Sequence, residues 1–314
     1  MRYIAHGLQV ISPFALPGMS ERSDPSLPAL ELDLSTRPSV HEAWNTRGGR
    51  RIWEGRLGDG ETLLVSATAD GRYLFAFGER ALFGLDCEHE RLACAPSEPG
   101  IAWQRVLLTK VLANIAMLRG YEALHASAVR SPHGAVLVLA PSGTGKTALA
   151  LALARGGWPL ISDDILVLGR GAGGVQAHPG TPHLNLDRPS RHARLDREVA
   201  RLLGVLGGEL WLAAHSPAGE PSPPAALCLL QRAGAGPIRI EPLEANPLTL
   251  APYMLGLADG AARERERFEL YCELTASASV LRIRAGAAHT PAMIAERLRR
   301  HLGASRPSAN AAAR

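Results

Sequence analysis

An α/β fold with a mixed sheet, preceded by a small β-rich N-terminal domain, is predicted by three observations. Residues 135–154 read as strand, glycine turn and helix: the apolar run Ala135–Leu139, the segment APSGTGKT from Ala140 to Thr147, and the strongly helix-forming Ala148–Ala154. Short strand-like runs separated by turn residues dominate the first hundred residues. Two more strand-like runs, Ala226–Gln231 and Pro237–Glu241, are joined by the AGAG turn Ala233–Gly236 and would extend the sheet around the central strand. The expected boundaries are 1–100 for the β-rich domain, 101–303 for the core and 304–314 for a disordered tail.

The glycine turn carries the chemistry. Ser142, Gly143, Thr144, Gly145, Lys146 and Thr147 match a P-loop, in which backbone N–H groups form an anion nest at a helix N-terminus. Lys146 would reach the β- and γ-phosphates of ATP, and the Thr147 hydroxyl would sit on Mg²⁺. Ala140 stands where the motif has its first glycine. That exchange is tolerated if the position stays extended, because only a positive φ demands glycine.

The segment Trp158–Leu168, WPLISDDILVL, reads as one buried strand interrupted by Asp163 and Asp164. Buried carboxylates need a cation or hydrogen-bond donors. Alternation along a strand would put the two on opposite faces, one toward Mg²⁺ and the other toward an acceptor hydroxyl. His125, in the strand-like LHASAV just ahead of the P-loop strand, is a third candidate.

His125, APSGTGKT and Ser162-Asp163-Asp164 together resemble the catalytic core of the HPr kinase/phosphorylase family, a group that also includes phosphoenolpyruvate carboxykinase. The histidine stands 21 residues before Lys146, and the aspartates follow it at 17 and 18. The resemblance implies an HPr-kinase/carboxykinase-like core and an ATP- and Mg²⁺-dependent serine kinase. It implies Asp163 as general base, Asp164 and Thr147 as metal ligands, and His125 in support of the aspartates. The division of roles between the two aspartates is left open. The first P-loop glycine and the glycine-rich, Glu-containing loop of HPr kinases are missing, and Ala177–Leu186, AHPGTPHLNL, stands in that loop's place. This proline-rich form is similar to the HPr-kinase-like enzymes found beside lasso-peptide genes, as are the N-terminal Tyr3, Gly7-Leu8 and Leu16-Pro17. The expected partner is a peptide or small protein with an acceptor serine. HPr kinases form oligomers, which leaves a homo-oligomer open here. The alternatives are an HPr-type kinase/phosphorylase and a nucleotide-binding regulatory module without turnover. Carboxykinase chemistry fits less well, since the chain is short for it and the extra metal ligands have no visible place.

Taken in order, Tyr3–Ile11 reads as a strand and Pro17–Val40 as loop. Arg51–Leu57, Glu61–Thr68 and Arg72–Phe77 read as further strands, with turns at Gly60 and Asp70-Gly71. This domain is expected to be a structural lid or docking surface, whose strand edges can also accept an extended peptide. Trp103–Arg119 carries Leu107, Leu108, Val111, Leu112, Ile115 and Leu118 at helical spacing, a core helix stopped by Gly120. Arg188, Arg191, His192 and Arg194 include a candidate to offset charge on a transferring phosphoryl group. Arg197–Leu206 reads as a helix, Ala262–Leu274 as a charged helix, Val280–Arg284 as a last strand, and Thr290-Pro291 as the start of the last helix.

Composition narrows the classes. The 314 residues are 46% hydrophobic and 20% charged with a net charge of +4, ordinary for a globular chain. No basic cluster interleaved with aromatics points to nucleic acid. The positive charge is almost all arginine; Lys110 and Lys146 are the only lysines, which makes a lysine in the P-loop the more telling. Cys87, Cys94, Cys228 and Cys272 have no metal-site spacing and read as free thiols. The N-terminus lacks the apolar core of a signal peptide and no run approaches ~18 apolar residues, so no membrane and a cytoplasmic location are expected.

Overall fold

The computed structural model describes residues 1–44, 49–56, 61–68, 71–187, 198–232, 234–257 and 260–304, which form four sheets with helices between and around them. The candidate arginines at 188, 191 and 194, His192, the turn residues Gly60 and Asp70, Ala233 of the AGAG turn and residues 305–314 of the tail lie outside the described residues.

The first sheet draws all eight of its strands from residues 2–96. Arg50–Arg56, Thr62–Ala67, Tyr73–Phe77, Ala81–Asp86 and Arg91–Pro96 form an antiparallel meander, and Ala29–Leu34 joins its last strand in parallel. The chain start is not the single strand expected over 3–11. It is a hairpin, Arg2–Ala5 against Leu8–Ile11, because His6 and Gly7 both take positive φ (56° and 77°) and two such residues make the tight turn that suits strand twist. The stretch read as loop also holds structure. Alternation in ALELDL gives the strand Ala29–Leu34, and Thr36, whose hydroxyl accepts the Ser39 N–H at 3.3 Å, caps a helix over Arg37–Ala43.

Behind this sheet runs the expected core helix, in three consecutive pieces: Ala102–Val106, Leu107–Val111 and Leu112–Leu118. The middle piece is a π turn, in which the Leu112 N–H reaches back to the Leu107 carbonyl. Leu107, Leu108, Val111, Leu112 and Ile115 are fully buried in one cluster with Phe75, Phe83, Trp103, Ile165 and Trp211. Residues from the N-terminal sheet and from the later sheets therefore share a core.

The second sheet is mixed, in the order Leu160–Ser162, Ala126–Ser131, Gly134–Leu139, Pro224–Arg232, Ser279–Ala285, Arg239–Pro242. Three of its strands, at 134–139, 224–232 and 279–285, run parallel, and the helix Lys146–Arg155 comes after the first of them. The predicted downstream strands thus do extend the sheet around the P-loop strand. A four-stranded sheet, in the order Gly174–His178, Leu166–Gly171, Glu122–Leu124, Met254–Leu255, lies beside it.

Two readings are corrected. Trp158–Leu168 is not one strand: Leu160–Ser162 belongs to the six-stranded sheet and Leu166–Gly171 to the four-stranded one, with the aspartates at the break. The described part of 197–206 is a strand, Ala200–Leu206, that pairs with Glu209–Ala214 and, through it, with His183–Asp187. Gly207 and Gly208, at φ 58° and 85°, close a hairpin there, so a two-glycine turn between apolar runs outweighed helix propensity. The helices Gly260–Ser277 and Pro291–Ala304 and the strand Ser279–Ala285 are present as expected. Among the described residues no helix is long and apolar enough to cross a membrane.

The hairpin tip touches the region of the aspartates. The His6 N–H donates to the Pro179 carbonyl at 2.7 Å, and the Tyr121 hydroxyl donates to the Gly7 carbonyl at 3.2 Å. A Cβ on Gly7 would stand 2.8–2.9 Å from the Tyr121 ring. Gly7→Ala therefore combines left-handed strain with a clash, and should lower stability by about 2–4 kcal/mol. Chemical denaturation of the variant checks this, and an unchanged midpoint would contradict it.

Candidate active site

Two chain crossings lie next to each other. At the first, the chain leaves the four-stranded sheet at Leu124 and enters the six-stranded sheet at Ala126, with His125 between. At the second it passes back, from Ser162 to Leu166, through Asp163 and Asp164. Ala128 pairs with Ser162 on one side of this seam and Leu124 with Leu166 on the other. The two crossings are thereby held side by side at the mouth of the P-loop. Asp164 turns the second crossing with φ at 69°, a left-handed conformation that few non-glycine residues hold without support.

The P-loop turn joins the strand Gly134–Leu139 to the helix Lys146–Arg155. Gly143 and Gly145 have φ of 76° and 105°, whereas Ala140, fully buried, is not among the residues of positive φ and needs no glycine. Lys146 opens a ten-residue helix, so the loop N–H groups and the helix dipole converge where an anion would sit. The Lys146 ammonium donates to the Ala140 carbonyl at 2.7 Å, the Pro141 carbonyl at 3.3 Å and His125 Nε2 at 3.0 Å. An ammonium has only donors, so Nε2 must accept and the ring proton lies on Nδ1. That N–H faces the Asp164 carbonyl at 3.0 Å and Asp164 Oδ1 at 3.2 Å. On the far side, Asp164 Oδ2 takes a charge-assisted bond from Lys110. Lys146, His125, Asp164 and Lys110 thus form one continuous chain.

Asp163 belongs to a different set of contacts. The Thr147 hydroxyl lies 3.0 Å from both of its oxygens, the Ser127 hydroxyl donates to Oδ1, and the Asn185 N–H donates to Oδ2 at 3.3 Å. No ion pair reaches it among the described residues, and it is only 9% exposed. Burial pushes its carboxyl up to about 6, with the Asp164 charge adding to the effect and the Ser127, Thr147 and Asn185 bonds opposing it. Burial acts on Asp164 in the same direction, but the Lys110 ammonium and the bonds from His125 and Lys110 outweigh it and hold that carboxyl far below its usual range. Burial also lowers the Lys146 ammonium, against the pull of both aspartates.

Lys146, Thr147, His125, Asp163 and Asp164 therefore meet in one place, with one exchange. The resemblance pairs Thr147 with Asp164; in the structure Thr147 meets Asp163, and Asp164 is turned to Lys110 and His125. A buried carboxylate without a counter-charge, beside a P-loop hydroxyl, suits a Mg²⁺ ion that takes its other ligands from nucleotide phosphates. No group of three or more His, Cys, Asp or Glu capable of holding a metal exists among the described residues. Sequence reasoning missed Ser127, Asn185 and Lys110. The first two are ordinary residues on strands, identifiable only from pairing. Lys110 carried a signal, as the one other lysine of the chain, set in an apolar helix. Arg232, at the end of the strand beside the P-loop strand, braces the loop by donating to the Thr144 carbonyl at 3.2 Å and the His289 carbonyl at 3.0 Å.

Behind Asp163, the segment Ala177–Leu186 and the hairpin tip enclose three histidines. His6 and His183 are 2% exposed and His178 is 8%. His6 Nε2 donates to the Leu108 carbonyl at 3.4 Å, His183 Nε2 to the Pro17 carbonyl at 2.8 Å, and the His178 ring packs edge-on against Tyr121. Burial lowers each of the three to about 4, against an ordinary 6.5. Their folded values lie below their unfolded ones, so the unfolded chain takes up these protons first. The stability they allow is complete above 6.5 and is lost as pH falls toward 4, roughly 3 kcal/mol per ring. Asp163 is shifted the other way and returns about 3 kcal/mol between pH 6 and 4. Three rings outweigh one carboxylate. The melting temperature should fall steadily between pH 7 and pH 5; a flat or rising profile would show that the rings are not held neutral.

Neither a protein-family model nor a curated protein matches the chain. Among solved structures it is similar to the Hpr(Ser) kinase/phosphatase from Coxiella burnetii, at 13% identity over 57% of this chain and 95% of that one, with a TM-score of 0.29.

Proposed function

We propose that the protein transfers the γ-phosphoryl group of ATP to a serine hydroxyl on a peptide or small protein. The observation that carries this reading is the shared cluster at the seam: the P-loop lysine bonds His125, which meets Asp164, and the P-loop threonine bonds Asp163, the two carboxyls being shifted in opposite directions. Phosphoryl transfer needs a nest for the phosphates, a metal ligand and a group to orient the acceptor. The loop 141–147 is the nest. Thr147 and Asp163 would hold Mg²⁺, which supplies charge neutralisation on the phosphates. Asp164, kept ionised and 24% exposed at its side chain, is the group available to an incoming hydroxyl.

In the reaction the serine oxygen bonds to the γ-phosphorus as the bond to the β,γ-bridging oxygen breaks. ADP leaves with that electron pair; Asp164 orients the hydroxyl by accepting its hydrogen bond, and the hydroxyl proton passes to the oxygens of the transferred phosphoryl group and from there to water. Lys146 must exchange its carbonyl and His125 contacts for the phosphates, while His125 remains on Asp164. The resemblance of Ala177–Leu186, Tyr3, Gly7-Leu8 and Leu16-Pro17 to HPr-kinase-like enzymes found beside lasso-peptide genes supports a ribosomal precursor peptide as the acceptor.

The two aspartates are separable. Asp163→Asn should weaken Mg²⁺-dependent ATP binding, while Asp164→Asn should bind Mg-ATP normally and lose transfer by roughly 100-fold or more. Lys146→Ala should weaken nucleotide binding with or without metal. Titration calorimetry, together with incubation of γ-labelled ATP and arrays of serine-containing peptides, distinguishes these outcomes. Nucleotide binding with no labelled peptide would remove the transferase reading and leave a nucleotide-dependent binding module. Loss of metal dependence in Asp164→Asn instead of Asp163→Asn would reverse the assignment.

A further inference from the structure

The π turn at Leu107–Val111 is in the middle of a helix whose apolar periodicity is otherwise regular. Widening a helix by one residue breaks the i→i−4 ladder and leaves carbonyls that need other donors. Here they have them. The Thr109 hydroxyl donates to the Arg105 carbonyl at 2.8 Å, the Asn114 amide donates to the Lys110 carbonyl at 2.9 Å, and His6 reaches the Leu108 carbonyl. Thr109 and Asn114 are buried at 9% and 4% exposure in an otherwise apolar environment, where a polar side chain is unfavourable unless it bonds. Three side chains, one of them from the first sheet, thus hold the turn open.

What the turn presents is Lys110. Each residue added to a helix rotates all later side chains by about 100°, so a regular helix would aim this side chain elsewhere. As built, the ammonium is 22% exposed at its side chain and bonded to Asp164, and Lys110 and Lys146 are the only lysines in the chain. Both converge on the seam, Lys146 from the P-loop onto His125 at the first crossing and Lys110 from the helix behind the N-terminal sheet onto Asp164 at the second. An ion pair of this kind fixes the direction of the carboxylate as well as its charge, and Asp164 needs fixing because its backbone is in the left-handed region.

We propose that Lys110, presented by the π turn, is a positioning residue that aims the Asp164 carboxylate at the acceptor hydroxyl. It acts through Asp164 and not on the nucleotide. The inference rests on the transferase reading above and extends it to a residue outside the P-loop and the acid pair. The lysine's role is directional, so its removal should spare Mg-ATP binding and reduce turnover. Arginine, a cation of greater reach, should restore part of the loss. Asn114→Leu keeps Lys110 but removes the amide that holds the turn open, and should therefore reproduce the defect.

The test measures release of the labelled γ-phosphoryl group from Mg-ATP, to water and to an array of serine-containing peptides. Wild type, Lys110→Met, Lys110→Arg and Asn114→Leu are compared, with Mg-ATP affinity and melting temperature recorded for each. Lys110→Met is expected to lose turnover by roughly 100-fold at unchanged Mg-ATP affinity, Lys110→Arg to recover part of it, and Asn114→Leu to fall with Lys110→Met. Wild-type turnover in folded Lys110→Met, or a loss explained by weaker Mg-ATP binding, overturns the inference alone. If Lys110→Met does not fold, wild-type turnover in Asn114→Leu overturns it equally. A wild type that binds Mg-ATP and releases phosphate to neither acceptor overturns the transferase reading, and the role of Lys110 with it.

Discussion

The candidate site depends on one geometric constraint: two chain crossings between the same pair of sheets are held next to each other by strand pairing. Ala128 against Ser162 and Leu124 against Leu166 leave His125 and the Asp163-Asp164 break no freedom to separate. Residues 38 and 39 positions apart in sequence thereby become neighbours, and the P-loop lysine can touch the histidine that touches Asp164. Backbone hydrogen bonds at a sheet seam position side chains more firmly than a mobile loop does.

Charge is distributed unevenly across this seam. Asp164 has two nitrogen partners and stays ionised, while Asp163 is surrounded by hydroxyls and one amide N–H, and its carboxyl titrates near 6. Two adjacent carboxyls are thus shifted in opposite directions by their surroundings. The division comes from where each side chain goes once the strand breaks. The P-loop helix and the strands Ala126–Ser131 and His183–Asp187 deliver donors to Asp163, whereas the helix behind the N-terminal sheet delivers a cation to Asp164.

The N-terminal sheet is therefore more than a cover. Its first hairpin touches the loop that comes after the aspartates through His6 and Pro179, and touches the π turn through His6 and Leu108. These contacts, together with a core shared through Trp103, Ile165 and Trp211, couple the sheet to the elements that hold the acid pair. Burial favours the neutral form of the histidines in this contact, and no carboxylate pairs with them among the described residues.

Residues whose roles are set by local chemistry were legible in the sequence. The P-loop was, because a glycine turn between an apolar run and a helix former has one geometry whatever surrounds it. The meander of 50–77 was legible through its turn residues, the helix around 262–274 through its charge pattern and the last helix through its cap. The tertiary structure alone decided what depends on partners distant in the chain. It broke Trp158–Leu168 into two strands, since each half pairs with a different sheet. It made Ala200–Leu206 a strand, since a neighbour was there to receive it. It also gave Thr147 to Asp163 and Lys110 to Asp164, pairings that no spacing along the chain encodes, because side-chain direction at a break is fixed by packing and not by the period of a strand.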